Sequence, residues 1–74
     1  MARGRYTDDD GNVLTEYLDG SGNIVKREFK DAVSNAVLVE ERDPSGASVV
    51  TLTTSVGQRL TCKYDPEGNI LMSS

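Results

Sequence analysis

Six turn signals at nearly equal spacing constrain this chain more than any other feature of its sequence. Asp-x-x-Gly occurs at Asp8-Asp9-Asp10-Gly11, Asp19-Gly20-Ser21-Gly22, Asp43-Pro44-Ser45-Gly46 and Asp65-Pro66-Glu67-Gly68. Asp accepts from the backbone two residues on, Pro presets φ at the second turn position, and Gly takes the positive φ. The two long gaps each hold a weaker turn, Asp31-Ala32-Val33-Ser34-Asn35 and Thr54-Ser55-Val56-Gly57. The starts then fall at 8, 19, 31, 43, 54 and 65. Turns at that interval are the signature of an all-β chain.

The segments between the turns agree. They are 12–18, 23–30, 36–42, 47–53, 58–64 and 69–74, and they carry most of the Val, Ile and Thr that suit a pleated, half-buried surface. The expected fold is an antiparallel meander of about six short strands, as a single domain over 8–74 with residues 1–7 as a flexible N-terminal arm. Leu60, Cys62 and Tyr64 alternate with Arg59, Thr61 and Lys63, so each set takes one face. Elsewhere both faces hold apolar residues: Val13 and Tyr17 oppose Leu14 and Leu18, and Val49 opposes Val50 and Leu52. A sheet covered on both sides looks like that. In so short a chain the second cover is closure into a small barrel or another subunit. Over 25–36 a helical stripe of Val25, Phe29, Ala32, Val33, Ala36 and Val37 competes; the turn period favours strands there.

The segment Tyr64-Asp65-Pro66-Glu67-Gly68-Asn69-Ile70 resembles the YD repeat of Rhs-type proteins, in which Tyr-Asp-x-x-Gly-Asn followed by Leu or Ile marks a hairpin turn. Leu18-Asp19-Gly20-Ser21-Gly22-Asn23-Ile24 is similar, with Leu in place of Tyr. Asp8-Asp9-Asp10-Gly11-Asn12-Val13 matches more loosely, and Asp43-Pro44-Ser45-Gly46 lacks the Asn. The resemblance implies hairpins. It brings no catalytic residues, and a chain of 74 residues is too short for that family's shell.

The rest of the composition narrows the function classes. With one Cys and no His, an internal disulfide framework and the usual zinc sets are absent. Asp8-Asp9-Asp10-Gly11-Asn12 invites calcium, but aligning Gly11 with the EF-hand glycine puts Tyr6 and Tyr17 at ligand positions; no metal or cofactor is expected. Cys62 has no His to activate it. Glu40 and Glu41 are adjacent, so a strand points them to opposite faces. Glu16 and Glu28 are better placed to pair with Lys26, Arg27 or Lys30 across strands. No catalytic set emerges, and an enzyme is not expected.

All seven Asp lie in turn slots and five of the seven Gly close a turn, so much of the net charge of −4 is turn chemistry. The leading expectation is therefore a self-associating structural or interaction module, decorating an assembly such as a phage or viral particle. Its interface candidates are Leu14, Leu18, Val50, Leu52 and Leu71. One alternative is a small acidic phage-type inhibitor of a host protein. Another is a small β-barrel that binds nucleic acid through Arg3, Arg5, Arg59 and Lys63, although a net negative charge argues against that partner. No apolar run approaches the ~18 residues of a membrane-spanning helix. The expected location is cytoplasm or virion, and the initial Met reads as a natural start.

Overall fold

Each hairpin is built by its turn. In the last one, the Asp65 N–H donates to the Asn69 carbonyl (2.9 Å) and the Gly68 N–H to the Asp65 carbonyl (3.0 Å). This is a three-residue loop, a type I turn followed by a left-handed residue, and Gly68 holds φ +90°. The Asp65 carboxylate accepts from the backbone N–H of Glu67 (3.0 Å) and of Asn69 (2.8 Å), and from the Asn69 side-chain amide (3.0 Å). The Asn after the Gly thus ties back to the Asp that opens the turn. The first turn repeats the arrangement with Asp8 and Asn12. The five glycines that close turns, 11, 22, 46, 57 and 68, are the five with positive φ. The third turn is one residue longer. Its loop closes by Asp31 N–H to the Ala36 carbonyl (2.9 Å), and Asn35 takes the left-handed conformation at φ 59°.

The computed structural model describes residues 2–73, which form seven strands: β1 Ala2–Thr7, β2 Val13–Leu18, β3 Ile24–Lys30, β4 Val37–Arg42, β5 Ser48–Thr53, β6 Arg59–Tyr64 and β7 Ile70–Ser73. Every neighbour in sequence is a neighbour in space, all pairs are antiparallel, and the order is β1 to β7. The all-β meander is as expected, with one difference at its start. Residues Ala2–Thr7, read as an arm, pair with β2 at six positions, because the first turn aims them back along β2. The sheet is open, with β1 and β7 at its edges among the described residues. The segment from Ile24 is strand as far as Lys30 and turn beyond it, and Val33 of the helical stripe is 88% exposed.

The sheet is a plate of 34 × 31 × 16 Å. Its radius of gyration, 13.3 Å, exceeds the about 11 Å of a globular domain of this length. Among the described residues no side chain is buried. The strands are held by their ladders and by cross-strand pairs with no interior of their own.

Candidate functional site

Directly opposed residues of a ladder point to the same side of the sheet, so the register assigns every strand side chain to a face. On one side, face A, an unbroken row crosses six strands: Tyr6, Leu14, Phe29, Leu38, Leu52 and Leu60. Tyr6, Phe29, Leu38 and Leu60 are exposed, at 57, 38, 39 and 56%. Beside it runs a second row, Glu16, Arg27, Glu40, Val50 and Cys62. Its charges pair with one another: Arg27 Nε lies 3.3 Å from Glu16 Oε2, Arg27 Nη1 3.6 Å from Glu40 Oε1, and Arg42 Nη2 3.6 Å from Glu40 Oε2. Arg27 Nε is screened from solvent yet makes no hydrogen bond, so its contact with Glu16 is one of charge alone. Face A is formally neutral, with two Arg against two Glu.

The other side, face B, carries Val13, Lys30, Val37, Thr53 and Arg59 in one row, and Arg5, Thr15, Glu28, Val39, Thr51 and Thr61 in the next. A third holds Arg3, Tyr17, Lys26, Glu41, Val49 and Lys63. Lys26 sits 5.4 Å from the centre of the Tyr17 ring and 3.6 Å from Glu28 Oε1. Six Lys and Arg face two Glu here, a formal +4. The remaining eight acids, the seven Asp and Glu67, lie in the turns at the two ends of the strands. The net −4 is thus the sum of a neutral face, a cationic face and two acidic rims.

Hydrogen bonds hold five turn carboxyls below their ordinary value of 3.8. The chief donor is the Asn side-chain amide for Asp8 and Asp65, the Ser34 and Ser45 hydroxyls for Asp31 and Asp43, and the Asn23 backbone N–H for Asp19. These carboxylates are occupied by their own turns. Among the described residues no three His, Cys, Asp or Glu side chains gather in a metal-holding group.

Leu14, Val50 and Leu52 lie on face A by direct pairing. Leu18, two residues beyond Glu16, joins them by alternation. Leu71 falls at the irregularity of β7, between Ile70 opposite Tyr64 and Met72 opposite Lys63, and the register assigns it to neither face. Tyr6, Phe29, Leu38 and Leu60 were not among the sequence-derived interface candidates. Their signal is register, which the lengths of the turns encode. Arg3, Arg5, Arg59 and Lys63 all fall on face B, joined there by Lys26 and Lys30. Glu40 and Glu41 part to opposite faces, Glu16 meets Arg27, and Glu28 meets Lys26. Cys62 is a half-buried free thiol on face A, and its hydrogen bond with Tyr64 pushes the Tyr64 hydroxyl above its ordinary 10.0.

No protein-family model, curated protein or solved structure matches this chain. No helix of the described residues is long and apolar enough to cross a membrane.

Proposed function

We propose that the chain is a non-enzymatic structural and interaction module that self-associates, one copy laying face A on face A of a second. The observation that carries this reading is the row from Tyr6 to Leu60, six large apolar side chains on one side of a single-layer sheet, four of them exposed and none buried. The area supports it. The accessible surface is 5289 Å², against about 4,450 Å² for a compact monomer of 8.0 kDa. The excess is about 840 Å², close to the roughly 800 Å² that each partner gives to a standard interface. Two sheets packed about 10 Å apart acquire between them the interior that one lacks. The neutral chain of Glu16, Arg27, Glu40 and Arg42 lets two such faces meet without net repulsion.

A phage or viral particle is the assembly proposed for the module, on the strength of its stiff hairpins, and a place in the cytoplasm or virion goes with it. The acidic-inhibitor reading has less support. It needs carboxylates gathered on one contact face, and the Asp residues are divided between two opposite rims, five of the seven engaged in their own turns.

Absolute mass by light scattering after size exclusion, at low and high salt, tests the proposal. The expected result is a stable oligomer, twice the 8.0 kDa chain mass or a multiple of it, at both salts, because an apolar contact is indifferent to screening. A monomer at both salts overturns it.

A further inference from the structure

Face B has a different use. We propose that it binds single-stranded nucleic acid lying across the strands, from β1 over β3 to β6. The inference is independent of self-association through face A, because the two surfaces lie on opposite sides of the plate.

Three observations carry it. The first is charge. Arg3, Arg5, Lys30, Arg59 and Lys63 are exposed and, among the described residues, form no ion pair. Lys26 is the sixth cation. An overall charge of −4 spoke against a polyanion, but the fold removes the turn acids to the rims.

The second observation is the path. The cations stand on β1, β3 and β6, spanning five strand spacings, about 24 Å. The acidic turns close both ends of the strands, so a polyanion running along the strand direction meets repulsion at each rim. Running across the strands, it meets only the face.

The third is what lies between the cations. Arg3, Arg5 and Lys30 border a shallow depression floored by Val13, Tyr17 and Val37, with Glu28 also at its wall. Apolar side chains and one aromatic among cations suit the faces of bases while the cations meet phosphates. An acidic peptide has no planar group for that floor, and a duplex keeps the faces of its bases stacked inside. Thr15, Thr51, Thr53 and Thr61 add hydroxyls along the way.

The experiment is fluorescence anisotropy of a labelled oligothymidylate with the intact chain, titrated at 50 and 200 mM NaCl. Saturable binding is expected at the lower salt. With about four net phosphates neutralised, a single strand's slope near −0.7 per phosphate predicts a roughly 50-fold loss between the two salts. R59E/K63E and, separately, R3E/R5E should each weaken binding at least tenfold, with folding checked by circular dichroism. D9N/D10N, at the rim, should not weaken it. If either reversal fails to fold, the salt slope of the natural chain and the other reversal still decide. No binding at 50 mM NaCl, a flat salt response, or binding unchanged in folded reversal variants overturns the proposal. Equal competition by poly-glutamate, or tighter binding to a duplex of the same length, overturns the choice of a single strand.

Discussion

Leu38 and Val39 are neighbours on β4, yet one belongs to the apolar row of face A and the other to a row of threonines and charges on face B. The same contrast runs across the plate. Face A presents Leu, Phe and Tyr, whose large side chains gain most of their burial energy only when something covers them, about 1.5–3 kcal/mol for a fully buried Leu or Phe. Face B presents Val and Thr, whose branched stems pack on the pleat itself, and long cations that keep their charge in water. One side is finished by solvent and the other is not. A single-layer sheet can therefore be half complete, and it shows which half.

The largest expected effect breaks this contrast at its centre. Leu38→Asp places a charge in the apolar row opposite Leu52 and should weaken self-association by about 30-fold or more, the scale of an interface hot spot of ~2 kcal/mol. Thr51→Asp on face B should leave the solution mass unchanged. Equal loss of mass in both variants would erase the distinction between the faces.

The turns belong to neither face and should act on both alike. Gly57 holds φ +88° in open space, so Gly57→Ala isolates backbone strain and should lower stability by about 1–2 kcal/mol, read as a fall in Tm. Gly20 has open space and no positive φ. There Gly20→Ala should be neutral, or stabilising by up to ~1 kcal/mol through the unfolded chain.

The charged pairs give a finer comparison. Arg27→Gln leaves Glu16 and Glu40 on face A without their shared cation and should cost about 1 kcal/mol in denaturant unfolding. Lys26→Gln on face B loses an exposed ion pair and a cation–π contact, worth about 0.5 kcal/mol. A larger effect at Lys26 would reverse the view that face A holds the interlocked charges.

Per site, acid should have the smallest effect. The five turn carboxyls have folded-state values below the ordinary 3.8, so their contribution is complete above that value and is lost as pH falls through the lowered ones. Thermal stability should be flat from mildly acidic to neutral pH and decline below about pH 4. Asp65→Asn should remove part of that decline. An unchanged acid limb in that variant would mean that the turn carboxylates are not its source.

Much of the fold was legible because turn chemistry is local. An Asp or Thr that opens the loop and a Gly or Asn that takes its left-handed position make the loop's own hydrogen bonds, so all six turns stand where the spacing put them. β1 was not legible. Arg3, Gly4 and Arg5 carry no strand preference, and only a partner ladder supplied by β2 makes them one. The cationic face was hidden for a related reason: six Lys and Arg scattered over sixty residues show no cluster until pairing stacks them.

The sequence by itself determined where the chain reverses and that the pieces between are strands. Only the tertiary structure decided which side β3 shows. From β2 to β6 the row residues of face A are even-numbered except on β3, where Phe29 and Arg27 are odd. A bulge between Tyr17 and Leu18 pairs Leu18 with Ile24 but Tyr17 with Lys26, and the longer third turn restores the phase at β4. Without that irregularity Leu14 would face Glu28, and Phe29 would go with Leu38, Leu52 and Leu60 to the side opposite Tyr6 and Leu14, splitting the apolar row between β2 and β3. Side chains alternate with a period of two, so a one-residue slip exchanges the faces of a whole strand. What the slip gains is one apolar row in place of two half-rows, Tyr6 and Leu14 with Phe29, Leu38, Leu52 and Leu60, and those residues lie far along the chain from the bulge itself.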